Sequence, residues 1–498
     1  MDFLVFNSDF PILSLLVFLP LAGVPFLFLL PANPFAKSWA LLITLIDAGF
    51  SLHLLRVFDR DGFLFQFAEH RPWIPSLNIN YTLGIDGISL LLVLLTTLIT
   101  PLCVLCSWRY IQNRVREFLA CILIMETAML GVFMALDFVL FYIMWEAMLI
   151  PMFLLIGIWG GPRKIYASVK FFLYTLAGSV MLPVAMIALY FHQEPHTFFI
   201  PALMEQGFPF GFQILIFLAF FTAFAVKVPM FPLHTWLPAA HVEAPTAGSV
   251  LLASILLKMG GYGFLRFCLP MTPQAVQLFM PYILALSIIG IIYGGLTALS
   301  QNDMKKLVAY SSVGHMGFVT LGIFILNTRG VEGAMLQMIS HGISTGALFL
   351  CVGMLYERTH SREISQALGI MNQMPVFIAF LTVFCLSSLA FPGTNGFVGE
   401  FLILTGAFAH SKLLLVCAVP GVILAAAYML RMLQKIMFGG VNNPDVSHMN
   451  DLNIREILTL LPLSVFVFWI GLFPGSVIDI MHTSINHLLE QVQRGLTP

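Results

Sequence analysis

Charge is what this sequence has least of. Only 23 Lys and Arg and 24 Asp and Glu occur among 498 residues, so 9% of the chain is charged, against roughly 25% in an ordinary soluble domain. A water-soluble protein of this length could not cover its surface with so few charges, so we expect a lipid bilayer to surround most of it. The net charge of −1 excludes a basic surface for nucleic acid.

Cofactor motifs are also absent from the sequence. It has no Walker loop, no G-x-G-x-x-G and no second cysteine pair to accompany Cys103 and Cys106. These absences exclude the usual sites for a nucleotide, a flavin, a metal ion or an iron–sulfur cluster on this chain. The seven cysteines lie within or beside apolar runs, which favours packing roles.

Long apolar runs are what the sequence has in abundance, with hydrophobic residues making up 59% of it. Runs of about twenty residues have the length of a membrane-spanning helix. They predict an all-α, polytopic membrane protein of about fourteen transmembrane helices. The predicted spans are 11–31, 36–58, 84–107, 118–136, 138–159, 166–191, 212–240, 247–269, 275–300, 304–326, 331–357, 373–410, 413–438 and 457–481.

The seventh and twelfth runs, 212–240 and 373–410, are too long for one straight span. The seventh contains Pro229 and Pro232, and the twelfth contains Pro392 followed by Gly393. Proline removes a backbone donor and glycine loosens a helix. We therefore predict that both helices are broken within the membrane, where unwound backbone survives only inside protein or beside water.

Basic residues in the connections predict an orientation. With fourteen spans both termini lie on one side. Of the 23 Lys and Arg residues, seven fall in connections on that side, twelve on the opposite side and four within spans. Short connections rich in Lys and Arg stay in the cytoplasm, so we expect both termini on the external face.

Unusual residues recur at a similar spacing. Glu146 and His315 are 169 residues apart, and Lys258 and Arg431 are 173 apart. Two five-helix units would produce this spacing, and because five is odd the second unit would enter the membrane from the opposite side. Such inverted repeats are typical of alternating-access transporters, although coincidence among many residues remains the alternative.

This repeat divides the chain into four regions. The N-terminal three-helix segment would be 1–117, and the first five-helix unit would be 118–269. The inverted unit would be 275–438, and the last helix with its tail would be 439–498.

Several ionisable residues fall near the middle of predicted spans or at the first break. Such groups cost several kcal/mol in a membrane unless they are paired or hydrated. A single one could be a structural ion pair, but five at similar depth predict a polar row in the membrane plane. Histidine passes protons near neutral pH, so the row predicts proton or cation transport. Its members are Glu146, Lys227, Lys258, His315 and His341.

The second break adds Glu400 to the row, eight residues after Pro392. Three further residues are weaker candidates. Glu126 lies within the fourth span, and His234 and His241 flank a Trp and a Pro near a helix end, where they either line a proton entry or cap the helix.

Four segments of the chain resemble the antiporter-like subunits of respiratory complex I, NADH:quinone oxidoreductase. Among these the sequence is most similar to the subunit M family, which includes mitochondrially encoded subunit 4. Glu400 strengthens that assignment, because sister subunits usually carry lysine there. The segments are 156–179, 227–259, 311–318 and 391–402.

The resemblance implies fourteen helices, inverted five-helix repeats and breaks in helices 7 and 12. It also implies proton-translocating roles for the six residues of the row. NADH, FMN, iron–sulfur clusters and quinone would be held by partner subunits and none by this chain. Sister subunits of the L and N type and small membrane subunits would be its neighbours, in a bacterial inner membrane.

Two alternatives remain open at this stage. A sodium/proton antiporter subunit of the Mrp type would share the same row of residues. The same kind of subunit could also serve a ferredoxin- or hydrogenase-linked complex, because the chain lacks the redox sites that distinguish electron donors. A purely structural membrane scaffold would leave the mid-membrane charges unexplained.

Overall fold

The computed structural model describes residues 3–6, 10–438 and 449–496. Helices dominate it, as apolar segments in a bilayer require, because a helix satisfies its own backbone hydrogen bonds. The helices are α1 Ile12–Leu29, α2 Asn33–Val57, α3 Gly87–Tyr110, α4 Val115–Met134, α5 Phe138–Trp159, α6 Lys164–His192, α7 Ile200–Met204, α8 Phe210–Lys227, α9 Trp236–Glu243, α10 Thr246–Met271, α11 Pro273–Leu299, α12 Met304–Phe324, α13 Thr328–Thr359, α14 Pro375–Ser388, α15 Asn395–His410, α16 Lys412–Phe438, α17 Ile454–Leu472 and α18 Gly475–Leu496.

Thirteen of these helices in the described residues are long and apolar enough to cross a membrane. A fourteenth predicted span corresponds to α14 and α15, two shorter helices separated by a break. The prediction of an all-α polytopic membrane protein is confirmed. The break predicted in the seventh span is also present, between α8 and α9.

The helices differ in how much of their surface faces outward. The most apolar stretches of α10 and α13 are completely enclosed by other helices, whereas that of α16 is only 28% buried. α10 carries Lys258 and α13 carries His341. Lys258 and His341 therefore lie on the two helices that the rest of the protein encloses most fully.

α10 is not a uniform α-helix. Two π-helical turns interrupt it, Leu252–Leu256 and Phe264–Cys268. A π-turn widens the helix and is frequent at functional sites. The first of these turns ends two residues before Lys258.

A β-hairpin lies between α2 and α3, where the sequence predicts no regular structure. Strand β1, Gln66–Ile74, pairs antiparallel with β2, Ile79–Ile85. The Glu69 carboxylate of β1 accepts the backbone N–H groups of Leu13 and Ser14, at 2.7 and 3.1 Å. The hairpin therefore caps the start of α1.

The end of the chain also departs from the predicted span 457–481. α17 stops at Leu472, because Pro474 follows and cannot continue the helix. A separate amphipathic helix, α18, then packs one face against α3 and α13. The predicted tail is thus an ordered helix, apart from residues 497–498, which lie outside the described part.

Candidate functional site

The first helix break places Lys227 at the end of α8. Its side chain is buried, and Nζ lies 5.2 Å from the centroid of the Trp145 ring, a cation–π distance. The unwound backbone is stabilised by Trp236, whose indole N–H donates to the Val226 carbonyl at 2.9 Å. That bond satisfies an acceptor that the broken helix would otherwise leave exposed at membrane depth.

Glu146 follows Trp145 on α5 and is the ionisable neighbour of Lys227. Oε1 of Glu146 is buried without a hydrogen-bond donor. Among the described residues no ion pair within 4.0 Å joins the two side chains. The pair is therefore close enough to interact and too far apart for a direct salt bridge.

Lys258 occupies the centre of the protein with no exposed surface. Its Nζ donates to the backbone carbonyl of Ala253 at 2.5 Å and lies 2.7 Å from Nδ1 of His341. Ala253 belongs to the π-turn before Lys258. Because an ammonium can only donate, Nδ1 of His341 is the acceptor when Lys258 is charged, and the ring proton is then on Nε2.

His341 faces His315 across a short gap. The two rings are 5.6 Å apart at an interplanar angle of 61°, and Nε2 of His341 has no hydrogen-bond partner. A small cavity adjoins both rings, and hydroxyl side chains form much of its wall. A polar cavity is the kind that holds ordered water. Its hydroxyl-bearing residues are Ser340, Ser344, Thr345, Ser387 and Ser388.

His315 is bound directly to Glu400. Nδ1 of His315 lies 2.9 Å from Oε1 of Glu400, and both side chains are buried. The amide of Gln337 donates to the same carboxylate oxygen at 3.0 Å. On its other side, Nε2 of His315 is 3.3 Å from the hydroxyl of Ser388 and 3.5 Å from that of Tyr428. His315 thus has one nitrogen toward the cavity wall and one toward a carboxylate.

The second helix break holds this end of the row in place. The amide oxygen of Asn395 accepts from the hydroxyls of Ser387 and Ser344 and from the backbone N–H of Gly396. A Cβ on Gly396 would lie 2.1 Å from the Ser387 carbonyl oxygen. Only glycine therefore fits where the backbone of α15 crosses that of α14.

The structure divides the six principal predicted residues into two groups. Lys258, His341, His315 and Glu400 form a nearly continuous chain across α10, α13, α12 and α15. Glu146 and Lys227 form a separate cluster around Trp145. No hydrogen bond joins the two groups among the described residues.

Two of the weaker candidates are buried histidines. His241 has no exposed surface, stacks on Phe349 at 4.5 Å, and has no hydrogen-bond partner at either nitrogen. Lys305 and Lys258 are its ionisable neighbours. His234 instead stacks on Phe231 and meets the edge of Tyr293, and its Nδ1 is unpartnered.

A charged pocket adjoins the helix of His241. Lys305 and Glu243 line it, and the Lys305 ammonium donates to the Ala244 carbonyl at 2.5 Å. Arg362 closes the pocket and lies 3.5 Å from Asp303. The pocket opens on the side that the basic connections predict to be cytoplasmic.

Sequence reasoning missed two side chains that complete the row, Gln337 and Tyr428. Gln337 precedes His341 by four residues, so both lie on the same face of α13 and the spacing could have indicated it. Tyr428 carries no charge and gave no such signal. The third weaker candidate, Glu126, is buried with both carboxyl oxygens unpartnered, so it forms no hydrogen bond with a residue of the row.

Similarity to known proteins agrees with this geometry. Residues 135–425 match the family model described as NADH:quinone oxidoreductase/Mrp antiporter, TM, and residues 22–132 match NADH-ubiquinone oxidoreductase chain 4, amino terminus. The chain is 47% identical to NADH-quinone oxidoreductase subunit M of Rhodobacter capsulatus, over 97% of this chain and 98% of the relative. The chain belongs to the NADH-quinone oxidoreductase subunit M and chain 4 family.

Other members of that family match almost as fully. NADH-ubiquinone oxidoreductase chain 4 of Chondrus crispus is 47% identical over 95% of this chain and 96% of the relative. A chain in the solved structure of respiratory complex I from Thermus thermophilus with bound NADH superimposes with a TM-score of 0.89. It is 32% identical, and the match covers 96% of this chain and 99% of that one. The family assignment drawn from the sequence motifs is confirmed.

Proposed function

We propose that this chain is a proton-translocating membrane-arm subunit of NADH:quinone oxidoreductase. Quinone reduction in partner subunits drives protons along the row of buried ionisable residues. The observation that carries the proposal is the series of side-chain contacts that runs from Lys258 through His341 and His315 to Glu400. NADH, FMN, iron–sulfur clusters and quinone are bound by those partners, and this chain contributes to the enzyme as a translocase without a redox centre.

Each histidine relays a proton between its two nitrogens. The Lys258 ammonium gives a proton to Nδ1 of His341, whose Nε2 proton leaves toward the cavity. Nε2 of His315 takes up a proton from the cavity side, and its Nδ1 proton passes to Oε1 of Glu400. The net result is one proton moved from the amine to the carboxylate with both rings returned to the neutral state, which is chemistry that imidazole performs near neutral pH.

Glu146 controls the other lysine. At the low effective dielectric of a membrane protein, a carboxylate near an ammonium stabilises its charge strongly. Moving Glu146 closer to Lys227 therefore favours the protonated lysine, and moving it away favours release. Because the two are near but unbridged, a small shift of α5 against α8 changes that interaction.

Protons enter through His241. The helix of this histidine adjoins the pocket that Glu243 and Lys305 line, and Lys258 is another ionisable neighbour of it. Its two free nitrogens make it able to accept a proton on one side and donate on the other. Entry from the cytoplasm agrees with the basic connections around that pocket.

The proposal also includes the inverted five-helix repeat and the orientation of the chain in the membrane. The first five-helix unit, 118–269, ends with the Lys258 helix, and the inverted unit, 275–438, carries Glu400. Both termini lie on the periplasmic side of a bacterial inner membrane. Sister antiporter-like subunits and small membrane subunits flank the chain, and lipid covers the exposed apolar faces of helices such as α16.

The test replaces Lys227 with Ala in the assembled complex. Electron transfer and proton translocation are then measured together in sealed vesicles, with Lys412→Ala as the control, because Lys412 is exposed. The proposal predicts loss of both activities in Lys227→Ala with assembly intact, and normal activities in the control. Full activity and full pumping in Lys227→Ala would contradict it. Proton flux that requires sodium would instead favour an Mrp-type antiporter.

A further inference from the structure

Two acidic residues outside the row lie buried between α2 and α4. Asp47 belongs to α2 and Glu126 to α4, the two helices pack together, and neither side chain has any exposed surface. Asp47 lies about 21 Å along its helix and Glu126 about 17 Å, at 1.5 Å per residue. Both positions are near the middle of the membrane.

All four carboxyl oxygens of Asp47 and Glu126 lack a hydrogen-bond donor. Among the described residues neither acid forms an ion pair. Asp47 is the ionisable neighbour of Glu126. Thr100 and Cys103 are the polar neighbours of Glu126. The Thr100 hydroxyl donates to the Thr96 carbonyl, and the Cys103 thiol donates to the Ala247 carbonyl.

Four acceptor oxygens without a donor cannot belong to two ionised carboxylates. An isolated buried carboxylate is so costly that it takes up a proton instead, and a second negative charge nearby adds repulsion. A protonated carboxyl supplies the missing donor, because its O–H can bond to an oxygen of the neighbouring acid.

We propose that Asp47 and Glu126 form a proton-binding carboxyl pair between α2 and α4. The pair holds at least one proton at neutral pH, and the O–H of one residue donates to the other. No hydrogen bond or ion pair among the described residues joins the pair to Lys258, His341, His315 or Glu400.

The helix of Glu126 also packs against a helix that carries a residue of the row. α4 packs against α5, which carries Glu146. The number of protons on the pair therefore changes the charge carried by the helix that packs against the helix of Glu146. This consequence rests on the proposed function, whereas proton binding by the pair does not.

Infrared spectroscopy of the assembled complex tests the pair directly. Spectra of the wild-type complex and of Asp47→Asn and Glu126→Gln variants are recorded at pH 7 in ordinary and heavy water. Each wild-type minus variant difference is expected to contain the carbonyl band of a protonated carboxylic acid, shifted in heavy water. Asp59→Asn, a change at an exposed aspartate, is the control and should lose only carboxylate bands.

Two results of the infrared experiment would overturn the proposed protonation of the Asp47–Glu126 pair. If the difference spectra of both variants contained only carboxylate bands, Asp47 and Glu126 would be ionised in the wild-type complex. That result would overturn the proposal. Asn and Gln reproduce the size and neutral polarity of a protonated acid, so both variants should assemble. If neither assembled, a charge would be required at these positions, and the proposal would again be overturned. Proton pumping measured on the same preparations reports separately on the proposed function.

Discussion

Nδ1 of His315 lies 2.9 Å from Oε1 of Glu400, and both side chains are enclosed where α12 passes the start of α15. In this low-dielectric setting the charge of one partner depends on that of the other. An imidazolium is stable beside a carboxylate, and a neutral imidazole is stable beside a carboxylic acid. In the proposed pathway, the pair is therefore the step at which a proton passes from a basic to an acidic carrier.

Replacing Glu400 with Gln removes that acidic carrier while keeping the size of the side chain. We expect proton translocation to slow by at least about a hundredfold, the usual contribution of an acid–base group, with the complex still assembled. Proton uptake into sealed vesicles during quinone reduction measures the effect. Glu194→Gln, at an exposed glutamate, should translocate protons normally. Equal rates in the two variants would remove Glu400 from the pathway.

Replacing His341 with Gln interrupts the relay between Lys258 and the cavity. Glutamine can accept a hydrogen bond from the lysine but cannot exchange a proton between two ring nitrogens. We expect proton translocation to fall by at least about a hundredfold, while His53→Gln, a change at an exposed histidine, leaves it unchanged. The membrane potential built up in proteoliposomes is the measurement. A normal potential with His341→Gln would show that protons bypass this ring.

Replacing Trp236 with Phe leaves the Val226 carbonyl without its donor at the first helix break. A buried unsatisfied polar group costs about 1–3 kcal/mol, so the midpoint of thermal unfolding should fall. Differential scanning fluorimetry of the purified complex compares this variant with Trp73→Phe, where the side chain is exposed. Identical midpoints would mean that the indole N–H does not stabilise the break.

Replacing Gly396 with Ala places a methyl group 2.1 Å from the Ser387 carbonyl oxygen. The backbones of α14 and α15 would have to separate, which also disrupts the Asn395 contacts beside His315. We expect the complex to assemble poorly. Gly211→Ala is a matched control, because Gly211 is likewise the second residue of its helix and nothing lies within 4 Å of the added Cβ. Equal yields of both variants on native gels would refute the close crossing.

Hydropathy was sufficient to predict the membrane helices and both breaks. A twenty-residue apolar run has few alternatives in a bilayer, and prolines in a long run mark its interruption. The hairpin Gln66–Ile85 was missed because it lies outside the membrane, where hydropathy carries little information. The amphipathic helix α18 was missed for a similar reason, since its apolar residues recur at helical spacing and do not form a run.

The sequence draws attention to the ionisable residues of the candidate site but not to the contacts between them. Charged residues such as Lys258 and Glu400 are conspicuous in apolar spans because burying them is costly. Which residues meet depends on how α10, α12, α13 and α15 pack, and the sequence alone does not reveal this. Only the structure therefore shows that Lys227 and Glu146 form a group separate from Lys258, His341, His315 and Glu400.

The role of Lys258 as the central proton carrier is tested most directly by Lys258→Ala. Protons translocated per electron are measured in sealed vesicles that contain the assembled complex, beside wild type and Lys412→Ala. If the row conducts protons, Lys258→Ala abolishes the protons that depend on this subunit and lowers the ratio, or stops electron transfer if the two processes are tightly coupled. A wild-type rate with a wild-type ratio would contradict the account.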